Sequence, residues 1–428
     1  VKKIITILLL ISVSLCLNAQ NKGAGKNKQD KIVDNTTLHG KWLTGYQAWA
    51  RTPNDGTNAH WQHYFWGKDF APERLVVDFL PDTSDFKDED KEIVDGLFKA
   101  DGLPVALVSG NNPNVIDEHF KWMRDYDIDG VWLQKFLMSS KIPNVIGDFE
   151  VRNKVMDEVV KASKKYGRVW AINFDPPAIP KEKLFDVIVD EWKRMVDLGY
   201  TKLENRYLHH EGVPVVHIWA ITCPDAHRET SPELGLKLLE FFGQEGKYQA
   251  YFIAGAAWCW ARDRHTEWKE FYDKARCIVP WNVGHAPYDQ KDKVSRAYVA
   301  NWVEDKATAE NLDLMWIPTI YPGFAWVNMY KNAENPPPII ERRKGQFLWD
   351  QLYAISRVEP DCVLLAMFDE VDEGTAFFKI EPNPPTGMNL LDTEGMPSDW
   401  SMQLIREARR IIREGEDFPK EIQLKPKK

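Results

Sequence analysis

The sequence predicts a parallel (β/α)8 TIM barrel, a single domain with a long insertion after its first strand. Three observations carry this reading. Apolar runs of strand length recur along the 428 residues. All but one of the later runs follow an amphipathic, helix-like stretch, as a parallel sheet requires. The first run leads into Gly45-Tyr46-Gln47-Ala48-Trp49, which is not the glycine-rich phosphate turn that opens a doubly wound sheet.

Taken in order, the strand candidates are LTGYQAW (43–49), LVVDFL (75–80), GVWLQKF (130–136), RVWAINFD (168–175), VPVVHIWA (213–220), YQAYFIAGA (248–256), CIVPWNVG (277–284), LMWIPTIY (314–321) and VLLAMFDE (363–370). That is one too many for an eightfold barrel. Helices are expected around 117–123 and over 151–167, 185–199, 231–246, 267–275, 295–307, 345–357 and 399–415. The fourth opens with Ser231 as cap and Pro232 at its first position. LVVDFL alone has no helix before it, so it is assigned to an insertion spanning 50–116. The domain is expected over 39–418, with a flexible tail at 20–38 and a C-terminal tail at 419–428.

The first residues, VKKIITILLLISVSLCLNAQ, read as a leader over 1–19. Lys2 and Lys3 precede an apolar run too short to span a bilayer, and Leu17-Asn18-Ala19 suits cleavage before Gln20. Leu15 is bulky for a lipidated Cys16. This predicts a periplasmic or secreted protein, and no other stretch suits a membrane span. Cys277 and Cys362 lie in apolar strands as packed thiols, while a Cys223–Cys259 bridge is left open. Net charge is −9, against the basic stripe of a nucleic-acid binder.

Chemistry in such a barrel sits where strands end at their C-termini. Those ends, with Asp82 from the insertion, offer Tyr46, Gln47, Trp49, Gln134, Asn173, Asp175, Trp219, Trp258, Trp281 and Tyr321 as binding residues. The eighth adds Glu370 and Glu373. Amides and acids bond hydroxyls, and indole faces stack on sugar C–H surfaces, so the set suits a carbohydrate; the 18 tryptophans fit the same pattern. His60, Trp61, His63 and Trp66 either line the cleft from the first loop or pack beneath it. No HExxH, GxSxG or Walker motif occurs, no zinc spacing is present, and no cofactor or metal is implied.

The segment FDEVDEGT (368–375) places Asp369, Glu370, Asp372 and Glu373 within five positions after an apolar strand. Two acids at the mouth of an aromatic cleft suit glycosidic cleavage. Three residues span at most about 10 Å when extended, so spacing alone admits both retaining and inverting geometries. An inverting pair of Asp175 with Glu370 or Glu373 stays open, as does a glycan-binding barrel without catalysis.

The chain resembles the glycoside hydrolase family 71/99-like proteins, related to the endo-α-mannosidases and endo-α-mannanases of family 99. The resemblance runs over nearly the whole chain after the leader. It rests on GYQAW with the later WQHY, FLPDTSDF (79–86), HFKWMRDYDIDGVWLQKF (119–136), YLHHEGVPVVHIWA (207–220) and AMFDEVDEGTAFFK (366–379). Family 99 carries Glu-Trp-His-Glu-Gly-Thr after its last strand, where this chain has Glu370-Val371-Asp372-Glu373-Gly374-Thr375. The resemblance implies a retaining route through a 1,2-anhydro sugar. In it Glu370 is the base on the 2-hydroxyl and Glu373 the acid/base at the glycosidic oxygen.

Overall fold

Strands buried on both faces make up the centre of the molecule. In β1 (Lys41–Tyr46) and β3 (Val169–Asp175) every residue is buried, as expected where helices cover a parallel sheet. The computed structural model describes residues 32–57, 59–67, 69–137, 149–177, 179–223, 229–334 and 339–427. The leader expected at 1–19 lies outside them.

The remaining barrel strands are β2 (Gly130–Phe136), β4 (Val213–Ile218), β5 (Tyr251–Ala257), β6 (Cys277–Trp281), β7 (Met315–Trp316 with Thr319–Ile320) and β8 (Cys362–Leu365). They pair in parallel in chain order, and β1 lies between β2 and β8. The strand expected over 314–321 is broken at Pro318. Its first half pairs with β6 and its second with β8, so β7 joins the two sides of the ring. Pro318 has no N–H to give, but its carbonyl accepts from Leu364 N at 3.0 Å.

Helices α1 (Pro113–Asp125), α2 (Phe149–Tyr166), α3 (Lys181–Asp197), α4 (Pro232–Gly243), α5 (Lys269–Lys274), α6 (Trp302–Asn311), α7 (Gln346–Val358) and α8 (Trp400–Glu414) follow the strands. Asn112 caps α1 by accepting from Asn114 N, and Ser231 caps α4 by accepting from Leu234 N. The helix expected over 295–307 begins later, at Trp302. Ahead of it, the Asp289 carboxylate accepts from Lys291 N, Asp292 N and Arg296 Nε. These bonds hold a short hairpin (Tyr288–Asp289 with Val294–Ser295) instead of a helical turn.

LVVDFL forms no barrel strand. It runs as an irregular segment with a bend at Asp78 and Phe79, bridged at Leu75 to Phe65 and just beyond it at Pro81 to Ile380. The insertion also contains an antiparallel hairpin (Lys91–Phe98 with Pro104–Val108). Of the tail expected over 20–38, residues 20–31 lie outside the described ones, and the segment 33–38 is packed. Val33 and Leu38 are buried, and Asn35 Nδ2 donates to Leu203 O and Tyr207 O. The C-terminal segment is also anchored: Trp349 Nε1 donates to Pro419 O at 2.8 Å, and Gln346 Nε2 to Lys420 O at 2.9 Å. Among the described residues no helix is long and apolar enough to cross a membrane.

Candidate active site

The acidic run after β8 divides into two pairs. The first and third acids, Asp369 and Asp372, hold the structure together. Asp369 accepts from Gln47 N at 2.9 Å and Ala48 N at 2.6 Å, which ties the end of β8 to the turn after β1. Burial pushes its pKa up to about 6, while those N–H donors and the Arg152 guanidinium pull the other way. Asp372 Oδ2 lies 2.8 Å from His63 Nδ1. The second and fourth acids, Glu370 and Glu373, line a cavity of about 420 Å³ at the strand C-terminal ends, within the size range of small-ligand sites.

Backbone geometry sets this division. Ala48 adopts a left-handed conformation (φ +49), so the chain turns directly after the two N–H groups that Asp369 accepts from. Gly374 has φ +66, and a Cβ there would approach Ala325 N to 3.0 Å. The turn carrying the glutamates therefore needs glycine. The half-buried Arg342 donates to Gly374 O at 3.0 Å and Ala376 O at 2.9 Å, holding the far side of that turn.

Strand alternation decides which sequence-predicted residues reach the cavity. Gln134 and Asp175 line it, joined by a 3.2 Å bond from Gln134 Nε2 to Asp175 Oδ2. Gln47 and Asn173 line it too, and Gln47 Nε2 donates to Gln134 Oε1 at 3.2 Å. Trp49, Trp219 and Trp281 supply aromatic wall, the last two in an edge-to-face pair 5.6 Å apart. Lys135, one residue on from Gln134, turns to the helices instead and pairs with Glu191 on α3 at 2.7 Å.

Four candidates stand elsewhere. Tyr46, adjacent to Gln47 and so on the opposite face, packs against α1, its hydroxyl 3.0 Å from His119 Nδ1. Asp82 closes a turn in the insertion by accepting from Ser84 N. Trp258 stacks on His285, 4.9 Å between ring centroids, one layer behind the cavity. Tyr321 is fully buried and donates to His285 O at 3.2 Å. His285 itself lines the cavity, so Trp258 and Tyr321 support a lining residue from behind.

Sequence reasoning missed Phe136, His285, Phe324, Trp326 and Met367, all of which line the cavity. Phe136 was findable, because it lies two positions beyond Gln134 on the same strand face. Phe324 and Trp326 arrive on the loop after β7. Asp78 from LVVDFL pins that loop by accepting from Val327 N at 3.1 Å and from Asn328 N at 3.0 Å.

The polar atoms of this cavity are of both kinds. Gln47 Oε1, Asn173 Oδ1 and Glu370 Oε1 are buried acceptors with no protein partner, and Trp49 Nε1 and Trp326 Nε1 are buried donors in the same state. Such groups are costly unless a ligand or solvent meets them. A hydroxyl both donates and accepts, so it matches a mixed set. Below, His217 stands edge-on to Trp132 at 5.5 Å. Burial drives its pKa down to about 3, and it serves as a neutral plug in the barrel interior.

The architecture is that of a parallel (β/α)8 barrel. Within that class it is similar to the family 99 endo-α-mannosidase of Bacteroides thetaiotaomicron, with a TM-score of 0.65 at 14% identity over 89% of this chain and 98% of that one. The same enzyme in complex with bis-tris-propane gives 0.64 at 15% identity, covering 90% and 98%. At this identity the likeness is one of fold. No protein-family model and no curated protein sequence matches the chain.

Proposed function

We propose that the protein is an exported glycoside hydrolase acting on an α-linked oligosaccharide or polysaccharide. The observation that carries this reading is the division of the acidic run, in which two acids anchor the loop and two glutamates line the cavity with unpartnered donors and acceptors around them. The barrel's likeness to a family 99 endo-α-mannosidase supports it. Among the described residues the cavity is lined by Asp175, Glu370 and Glu373 and by no Lys or Arg, which favours neutral sugars over acidic ones.

In the route that the family resemblance supplies, Glu370 takes the proton of the sugar 2-hydroxyl as O2 attacks C1. The C1–oxygen bond to the leaving group breaks, and Glu373 protonates the departing oxygen. Glu373 then takes a proton from water, which attacks C1 and opens the 1,2-anhydro ring, and Glu370 returns its proton to O2. Two inversions give net retention. The burial of Glu370 favours the desolvated position that a base in this step needs.

The test is a panel of α-linked glycans with the product anomer read by NMR. Glu373→Gln should abolish cleavage of natural glycosides and largely spare activated aryl glycosides, whose leaving oxygen needs little protonation. Glu370→Gln should lose both, by on the order of 100- to 10,000-fold. Near-normal turnover in both variants, or an inverted product, would move the chemistry to Asp175, which shares the cavity. Export is tested separately: mass spectrometry of the protein recovered from its native host should give a mature chain beginning at Gln20, and retention of residues 1–19 would refute it.

A further inference from the structure

Asp372 stands between the two cavity glutamates, yet it does not line the cavity. Its carboxylate accepts from His63 Nδ1 at 2.8 Å, and the two side chains are only 4% and 11% exposed. His63 comes from the insertion and is held at φ +63, a conformation that costs a non-glycine residue energy unless its surroundings fix it.

The other consequence of that position is a stack. The His63 ring lies flat against the Trp49 indole, with centroids 4.0 Å apart and planes 8° from parallel. Trp49 is in turn parallel to Phe136 within 9°, at 5.4 Å. The indole face against His63 is therefore closed to a sugar. What Trp49 has to offer the cavity that it lines is its Nε1–H, a buried donor without a protein partner.

We propose that Asp372 and His63 act as a positioning couple. The hydrogen bond orients the imidazole, and the imidazole fixes the plane of Trp49. The Trp49 Nε1–H is thereby held in register with Glu370 and Glu373, ready to donate to a hydroxyl of the bound sugar. Because Asp372 belongs to the same turn as both glutamates, one link sets the spacing between the donor and the reacting acids. This inference rests on the glycosidase reading for its consequence in catalysis, but its geometric part stands independently. Neither residue touches the reacting atoms, so each is a positioning residue.

Two measurements on the full chain test it. In the first, the Trp49 indole N–H is followed by ¹⁵N–¹H NMR, its signal identified by its loss in Trp49→Phe. Asp372→Ala should shift and broaden that signal. His63→Asn keeps a donor for Asp372 but no ring, and His63→Phe keeps a ring but no donor; both should shift it as well. A Trp49 signal unmoved in Asp372→Ala overturns the couple, whether or not the protein cleaves any glycan.

The second uses the α-linked glycan that the wild type cleaves best. Asp372→Ala should lower kcat/KM by about 10- to 100-fold, in the range expected for slight misplacement of a substrate. In a Trp49→Phe background the same change should cost under threefold, because the group being positioned is already gone. Additive losses in the double variant overturn the positioning role and leave the glycosidase reading intact. Absence of cleavage by the wild type defeats the glycosidase reading, and the NMR result still decides the couple.

Discussion

Burial and hydrogen bonding pull in opposite directions on Asp369. Its pKa of about 6 lies above the ordinary carboxylate value, so the folded state holds this proton more tightly than the unfolded chain. Its contribution to stability is then complete below about pH 4 and is lost as pH rises through about 6. Asp369→Asn removes the titration. Across pH 4 to 7 the wild type should lose on the order of 3 kcal/mol relative to this variant, since one pKa unit is worth about 1.4 kcal/mol. Urea denaturation of both proteins at several pH values checks this through the change in their difference, not its absolute level. A constant difference would mean that the folded and unfolded carboxyls titrate alike. At this scale the sequence made the glutamate pair legible as candidates, because charge after an apolar strand stands out. It did not give the anchoring roles of Asp369 and Asp372, because those depend on where the N–H groups of Gln47 and Ala48 and the ring of His63 come to lie.

LVVDFL shows how an element can read as a strand and serve as a clamp. Its apolar residues are buried, Leu75, Val76, Val77, Phe79 and Leu80 among them, so its composition is that of a strand interior. The missing helix before it showed that it lies outside the barrel. Asp78 in its middle is fully buried and accepts three hydrogen bonds, from Val327 N, Asn328 N and Asn328 Nδ2. Asp78→Ala leaves the two backbone donors unpaired, at a cost of about 2–5 kcal/mol. It also frees the loop that brings Phe324 and Trp326 to the cavity. The variant should therefore melt at lower temperature and show a raised KM with a smaller change in kcat. Unchanged KM in a variant that is still folded would show that the loop keeps its place without Asp78. The hairpin at 91–108 was not legible. Its outward residues Ile93 and Phe98 are exposed, so apolar side chains occur on both faces and the alternation that marks a half-buried strand is lost.

Across the whole molecule, the eightfold count was recoverable because each strand is a short apolar run and each helix a long amphipathic one. The cavity was only partly recoverable. Residues that alternate along one strand face can be assigned to it from their spacing. Trp258 and Tyr321 sit one layer back for reasons of packing that no spacing expresses. The break in β7 at Pro318 also bears on how the barrel moves in time. β2 and β3 are matched over seven consecutive positions, whereas each half of β7 offers its neighbour only two. Opening along this seam disrupts few hydrogen bonds, and local opening is easiest where few bonds must break together. Native-state hydrogen exchange should show the amides of Ile317, Leu364 and Ala366, which donate across the break, trading protons faster than those inside β2 and β3. The ring would then breathe at the strand that closes it, between the two sides of the barrel that carry Trp281 and the glutamates.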